Sequence, residues 1–94
     1  MAEITQFVAK VRGRVQGVFF RQFVKCSANK LNIQGYVRNL ADGNTIEVRA
    51  VGKKDNLEIL ISNLRKGPPD AIVKEMEITW SDQIDSYKDF IVRY

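Results

Sequence analysis

The chain has 94 residues, of which 45% are hydrophobic and 28% charged, and its formal net charge is +4. These values are typical of one ordinary soluble globular domain, near the smallest size that buries a core unaided. The single cysteine excludes an internal disulfide, and the absence of histidine excludes the commonest general base and metal ligand. The N-terminal residues lack the apolar core of a signal peptide and no apolar run could span a membrane, so we expect a cytoplasmic protein.

The first predicted elements are a strand and a helix, joined by a glycine-containing turn. Apolar residues alternate along the strand, which ends at Gly13: Phe7, Ala9 and Val11. The helix is predicted from about Arg21 to Asn32. Apolar residues at helical spacing form one of its faces: Phe20, Val24, Ala28 and Leu31.

A β-hairpin and a second helix follow. The hairpin has a strand from Tyr36 to Leu40 and a turn at Asp42-Gly43. Alternate apolar residues line one face of its second strand: Ile46, Val48 and Ala50. The second helix is indicated by apolar residues at i, i+3, i+4 and i+7: Leu57, Leu60, Ile61 and Leu64. The run Gly67-Pro68-Pro69 ends this helix.

Two more strands complete the predicted order. The fourth strand and the short fifth strand each show apolar alternation: Met76, Ile78 and Trp80, then Phe90, Val92 and Tyr94. The order β-α-β-β-α-β with a terminal strand is typical of the α+β ferredoxin-like sandwich, in which two helices pack on one face of an antiparallel sheet. We therefore expect residues 1–94 to form a single domain with this fold.

The distribution of charge indicates an anion site. No acidic residue lies between Glu3 and Asp42, and this segment contains seven basic residues: Lys10, Arg12, Arg14, Arg21, Lys25, Lys30 and Arg38. The remaining residues hold all eleven acids and eight bases. Positive potential is therefore expected around the run GRVQGVFFR at Gly13–Arg21.

The glycines and the arginine of this run suit the binding of a phosphate. Gly13 and Gly17 bracket the turn, and glycine allows positive φ and close approach of backbone N–H groups to an anion. The following helix N-terminus adds unpaired N–H donors. Arg21 lies in the first helical turn, where the dipole disfavours a cation, and its guanidinium can bind phosphate through two hydrogen bonds. The alternative is a solvated arginine beside an ordinary turn.

Two motifs closely resemble the signatures of the acylphosphatase family: GRVQGVFFR at Gly13–Arg21 and GYVRNLADG from Gly35. The second helix and the GPPDAIV run at Gly67–Val73 are also similar to that family, so the resemblance covers nearly the whole chain. It implies that Arg21 and backbone N–H groups bind phosphate and that Asn39 positions the attacking water. The implied phosphate-binding loop comprises Arg14, Val15, Gln16, Gly17, Val18 and Phe19, with Phe20 entering the helix.

The resemblance further implies hydrolysis of acyl phosphates to carboxylate and inorganic phosphate. We expect no metal requirement, because magnesium sites usually recruit one or two carboxylates and the segment between Glu3 and Asp42 has none. We also expect no other cofactor. The leaving carboxylate has a pKa of about 4–5 and needs no strong general acid. We expect a monomer whose partner is a small-molecule acyl phosphate, with inorganic phosphate as product and inhibitor. We expect no nucleic-acid or membrane partner.

The second motif departs from the family pattern after Asn39. The family commonly has a β-branched residue two positions after the hairpin glycine and another glycine six positions later. Here Gly43 leads to Gly52, which indicates one extra residue in the hairpin. Asn39 precedes the insertion, so its implied role is retained.

Three other predictions concern the placement of individual side chains. Arg38 is expected to face the opposite side of the strand from Asn39, as a surface or substrate-steering residue. Cys26, which has no histidine partner, is expected to be a partly buried apolar residue. Three aromatic residues are expected in the core or on a sheet face and not as base-stacking platforms: Tyr36, Trp80 and Phe90.

Two alternative functions remain open from the sequence. The RNA-recognition module shares the ferredoxin-like fold and the pI is about 9.4, but the strand around Glu47 lacks the aromatic residues of the RNP1 motif. A non-catalytic phosphate-binding domain is the second alternative. The presence of both Arg21 and Asn39 argues against it.

Overall fold

In the computed structural model, residues 3–94 form a five-stranded sheet with two helices on one face. Met1 and Ala2, the first residues of the predicted domain, lie outside the described part of the chain. The elements in chain order are β1 (Ile4–Arg14), α1 (Phe20–Lys30), β2 (Gln34–Asn39), β3 (Thr45–Lys53), α2 (Lys54–Lys66), β4 (Ile72–Ser81) and β5 (Phe90–Arg93). Neither of these helices is long and apolar enough to cross a membrane.

The sheet has the strand order β4-β1-β3-β2-β5, so the first and third strands lie at its centre. The pairs β1–β3, β1–β4 and β2–β3 are antiparallel, whereas β5 runs parallel to β2. The predicted ferredoxin-like fold is confirmed, with this one parallel pair added. The pair is parallel because residues 82–89 carry the chain from one sheet edge to the other and reverse its direction. In this crossing, Asp85 accepts a hydrogen bond from Gln6 of β1 and pairs with Arg49 of β3.

The core lies between the helices and the side chains of the facing sheet surface. Alternate residues of β1 and β3 are fully buried there: Phe7, Ala9, Val11, Ile46, Val48 and Ala50. Each helix contributes three buried side chains: Phe20, Val24 and Ala28 from α1, and Leu57, Leu60 and Leu64 from α2. Leu31 and Ile61 are only partly buried against this core. The apolar periodicity of the sequence therefore identified the buried faces.

Two details of α1 differ from the predictions. The helix ends at Lys30 because Asn32 adopts φ 55°, a left-handed conformation that a helix cannot continue through. Cys26 is exposed, so the expectation of a partly buried residue is wrong. Cys26 is two residues away from both Val24 and Ala28, which corresponds to a rotation of about 200° around the helix axis. Its side chain therefore points away from the buried face and toward solvent.

The surface of the sheet that carries no helix, called the open face below, is rich in paired charges. Arg38 forms an ion pair with Glu47 at 2.9 Å, and Arg12 forms one with Glu77 at 3.3 Å. Both arginines belong to the acid-free segment of the sequence. That segment is therefore not an acid-free surface, because β3 and β4 place carboxylates beside it.

Candidate active site

A cavity of about 340 Å³ lies where the β1–α1 loop meets the ends of β2 and β5. Its walls come from the loop, from the first turn of α1 and from two strand ends: Val15, Gly17, Phe19, Phe20, Arg21, Gln22, Asn39, Val92 and Tyr94. No acidic residue among residues 3–94 lines this cavity. The two motifs, separated by more than a dozen residues in the sequence, thus meet in one place.

The loop of residues 15–19 has an unusual backbone. Gly17 has φ 73° and Phe19 has φ 61°, so residues with a left-handed backbone conformation alternate with residues of negative φ. Within residues 3–94, the N–H groups of this loop donate to no backbone carbonyl. Free N–H groups in such an alternating conformation form the kind of concavity that binds anions.

Gly13 allows this loop to leave the sheet. Its φ is 140°, and a Cβ atom there would overlap the backbone carbonyl of Ile72 on β4. The β1–β4 register also shifts between Arg12 and Gly13. Gly13 therefore permits close packing of the two strands immediately before the loop turns toward the cavity.

The N-terminus of α1 opens into the cavity without a cap. Phe19 occupies the N-cap position, makes no side-chain capping bond, and no acidic residue lies in the first turn. The first backbone hydrogen bond of the helix joins the Phe23 N–H to the Phe19 carbonyl at 3.1 Å. The N–H groups of residues 20–22 are therefore available to an anion, which the helix dipole also favours.

Arg21 projects from this turn with few contacts of its own. Its Nη1 donates a long hydrogen bond of 3.5 Å to the Arg93 carbonyl, and its guanidinium lies 4.6 Å from the ring centroid of Tyr94. Within the described chain it forms no ion pair. The charge of Arg21 is thus oriented by β5 but not neutralised.

Asn39 is the last residue of β2 and faces the same cavity. Its Oδ1 atom is buried, and no group in the described chain donates a hydrogen bond to it. A buried carbonyl oxygen without a donor is costly, so this atom is suited to a ligand or a water molecule. Arg38 lies on the open face, opposite to Asn39, as the strand alternation predicted.

Gln16 connects the loop to the β2–β3 hairpin instead of entering the cavity. Its Nε2 donates to the carbonyls of Leu40 and Thr45, both at 2.9 Å. Leu40 directly follows Asn39, so Gln16 ties the position of the loop to that of Asn39. The predicted loop residues Arg14 and Val18 do not line the cavity either: Arg14 is exposed at the end of β1, and Val18 is buried in the core.

The hairpin turn is held by Asp42. Its carboxylate accepts hydrogen bonds from the Thr45 hydroxyl at 2.6 Å and from the Asn44 N–H at 2.9 Å. The Thr45 hydroxyl, and then the Asn44 N–H, hold the pKa of Asp42 below its ordinary value. The turn spans residues 40–44, and its rim carries no group that enters the cavity.

Comparison with known proteins identifies the family. A sequence profile of the acylphosphatase family matches residues 7–92. An acylphosphatase of Dehalococcoides mccartyi is 45% identical over 86 residues, which cover 92% of this chain and 94% of that protein. The chain belongs to the acylphosphatase family. The resemblance of the two motifs is thereby confirmed.

Solved acylphosphatase structures agree with this assignment. The crystal structure of the Bacillus subtilis acylphosphatase superposes with a TM-score of 0.92 at 33% identity, covering 96% of this chain and 99% of that one. The Coxiella burnetii acylphosphatase gives 0.90 at 38% identity, covering 96% and 93%. The acylphosphatase fold therefore extends over nearly the whole chain.

Three residues that line the cavity were not predicted as site residues: Gln22, Val92 and Tyr94. Gln22 could have been found, because it follows Arg21 in the same helical turn. Val92 and Tyr94 could not, since their position depends on the parallel pairing of β5 with β2. Apolar alternation in the sequence indicated only that β5 is a strand.

Proposed function

We propose that this chain hydrolyses acyl phosphates to a carboxylate and inorganic phosphate, with Arg21 binding the phosphoryl group and Asn39 positioning the attacking water. One observation carries the assignment of these roles. An unneutralised arginine and an amide oxygen without a donor line the same cavity, at an uncapped helix N-terminus. Family membership supplies the reaction class.

The phosphoryl group is proposed to bind at the loop of residues 15–19. The loop N–H groups and those of the first α1 turn donate to its oxygens, and Arg21 adds two charge-assisted hydrogen bonds. These donors are already in place before the substrate arrives, so they need little reorganisation as charge shifts toward the transition state. Gln16 supports this arrangement by fixing the loop to the hairpin.

The attacking water is proposed to donate a hydrogen bond to Oδ1 of Asn39. This contact orients the water in line with the bond to the leaving carboxylate. An amide cannot accept the water's proton, and no carboxylate lines the cavity within residues 3–94. A phosphoryl oxygen of the substrate is therefore the proposed proton acceptor.

The proposed mechanism needs neither a general acid nor a metal ion. The leaving carboxylate is a weak base, with a pKa of about 4–5, so it departs without protonation. Magnesium in phosphoryl-transfer sites is usually held by one or two carboxylates. In the part of the chain that the structure describes, no group of three or more Cys, Asp or Glu side chains is arranged to hold a metal.

The test is the rate of benzoyl phosphate loss, followed by ultraviolet absorbance, with and without excess EDTA. We expect rapid hydrolysis that EDTA leaves unchanged and that inorganic phosphate inhibits competitively. Glycerol phosphate, whose alkoxide leaves poorly, should be hydrolysed far more slowly. Comparable rates for the two substrates, or a loss of activity in EDTA that Mg²⁺ restores, would contradict the proposed mechanism.

A further inference from the structure

A second groove, of about 390 Å³, lies where the end of β1 meets the hairpin turn and the start of β4. It has only Val15 in common with the cavity that contains Arg21 and Asn39. The hairpin contributes Gly43 and Asn44, which belong to the part of the turn where the sequence indicates one extra residue. The groove therefore lies outside the proposed phosphoryl site.

The groove carries two positive charges. Arg14 and Lys74 line it, and no acidic residue of the described chain does. Both side chains belong to exposed residues, and neither forms an ion pair within the described chain. The acids that adjoin the groove in sequence have other partners: Asp42 accepts hydrogen bonds within the turn, and Glu75 pairs with Arg12 at 3.8 Å. The two cations are therefore free to bind an external anion.

A β-bulge brings these two cations to the same end of the sheet. The register of β1 against β4 shifts by one residue between Arg12 and Gly13, which leaves Lys74 as an extra residue on β4. Bulges of this kind change the direction of a side chain. Arg14 lies directly opposite Ile72, only two residues before Lys74. Two free cations placed together repel each other, so this arrangement favours a bound anion.

The number and type of the charges indicate the ligand. Arg14 can bind two oxygen atoms of one phosphate through parallel hydrogen bonds, and Lys74 adds a compact charge beside it. Asn44 offers an amide donor from the hairpin side of the groove. A nucleic acid would need a longer row of free cations, whereas the neighbouring Arg12 and Arg38 are already paired with carboxylates. The groove therefore suits a single phosphate dianion.

We propose that Arg14 and Lys74 form a second anion site, which binds the phosphate dianion of inorganic phosphate or of a small phosphomonoester. Both ligands present the same charged group to the two cations. Ile72, which is 54% exposed, also lines the groove and offers an apolar contact to the organic group of an ester. This inference goes beyond the proposed function, because neither cation lines the catalytic cavity.

The experiment follows backbone amide NMR signals of the full chain during titration with inorganic phosphate, and separately with glycerol phosphate. The titration is run at constant ionic strength and about pH 8, where the phosphate group is mainly a dianion. The amides of Arg21 and Gln22 report on the cavity, and those of Gly43 and Asn44 report on the groove. The two sites are thus measured separately in one sample.

We expect the groove amides to shift and saturate with a roughly millimolar Kd. Lys74→Gln should raise this Kd about 3- to 5-fold, the scale of an exposed ion pair, and should leave the Kd at the cavity amides unchanged. Arg21→Gln should weaken binding at the cavity and not in the groove. The matched control is Lys30→Gln, which removes the same charge from an exposed residue at the end of α1, outside the groove. This control should leave the groove Kd unchanged.

Three results would overturn the second site. The groove amides could fail to shift or to saturate, they could follow the cavity amides with one common Kd in every variant, or Lys74→Gln and Lys30→Gln could weaken binding equally, which would indicate only a diffuse effect of net charge. Where the site is present, tighter binding of glycerol phosphate identifies a phosphomonoester as its ligand, and tighter binding of inorganic phosphate identifies the free anion. Hydrolysis of benzoyl phosphate is unaffected by any of these outcomes, so the proposed function is tested separately.

Discussion

Two arginines of the acid-free segment, Arg38 and Arg21, have different surroundings on the two sides of the sheet. On the open face, Arg38 donates through Nε to Glu47 at 2.9 Å. In the cavity on the other side, Arg21 has an aromatic ring and a backbone carbonyl as neighbours, but no carboxylate in the described chain. The fold neutralises one arginine and leaves the other free for an anion.

Glu47, the carboxylate that neutralises Arg38 on the open face, is itself buried and hydrogen-bonded. Glu47 is only 8% exposed and also accepts a hydrogen bond from the Tyr36 hydroxyl at 2.8 Å. Burial disfavours its charged form, but the hydrogen bonds from Tyr36 and Arg38 outweigh burial and hold its pKa below the ordinary value. Arg93 covers the Tyr36 ring at 4.1 Å. The open face is thus organised for stability, and it offers no free aromatic surface at Tyr36 for stacking a base.

The largest expected effect comes from replacing the free arginine and its paired counterpart in turn. Arg21→Gln should lower kcat/KM for benzoyl phosphate on the order of 10³-fold, because it removes the cation that stabilises the transferring phosphoryl group. It should also raise the inhibition constant of inorganic phosphate. Arg38→Gln, measured where both variants are folded, should change kcat/KM by less than about 3-fold, since a charge on the far side of the sheet is largely screened. Similar losses in the two variants would remove the distinction between the faces.

The next prediction distinguishes the role of Asn39 from that of Arg21. Asn39→Ala should lower kcat about 10²-fold, because the water loses its orienting acceptor. The inhibition constant of inorganic phosphate should stay nearly unchanged, since Asn39 contacts the water and not the phosphate. If Asn39→Ala weakens phosphate inhibition as much as Arg21→Gln does, the water-positioning role is wrong.

The contrast between the faces also explains what the sequence could and could not predict. Periodicity identified the buried residues of both helices and of the central strands, because burial of one face is a local pattern. The anion site was predicted from glycine spacing and from Arg21 inside one continuous motif. Asn39 was assigned through the family resemblance, and its position beside Arg21 became visible only in the folded chain.

Features that depend on neighbours in space were missed. The charge distribution predicted positive potential around Gly13–Arg21, but it did not reveal that Glu47 and Glu77, on neighbouring strands of the sheet, pair with two arginines of the acid-free segment. Tyr94 reaches the cavity through a parallel pairing that no local pattern specifies. Gln16 belongs to the phosphate-loop motif, yet its side chain holds the hairpin. In each case a contact between separate segments of the chain, not the local sequence, determines the outcome.

A smaller effect tests the open face directly. Glu47→Gln should lower the free energy of unfolding by about 1–3 kcal/mol, because Tyr36 and Arg38 lose a charged acceptor in a largely buried setting. The folded variant should keep its activity within about 2-fold, as the change lies outside the cavity. Urea unfolding with an unchanged m value is the appropriate measurement.

The matched control for this prediction is Glu77→Gln. Glu77 pairs with Arg12 at 3.3 Å, but both side chains are substantially exposed, 64% and 38%. Exposed pairs contribute about 0–1 kcal/mol. Equal destabilisation by the two substitutions would show that burial of Glu47 adds nothing to its pairing.

The smallest effect concerns Asp42, an exposed residue in the turn that follows Asn39. Hydrogen bonds from the Thr45 hydroxyl and the Asn44 N–H keep its folded pKa below the unfolded value. Its stabilisation is therefore fully present above the unfolded pKa and is lost as the pH falls through the folded pKa, below about pH 4. Asp42→Asn should be slightly less stable than wild type at pH 7, and this difference should shrink at acid pH. Activity at pH 7 should change little, because Asp42 supports the turn and does not reach the cavity; a loss as large as that of Asn39→Ala would place Asp42 in the reaction instead.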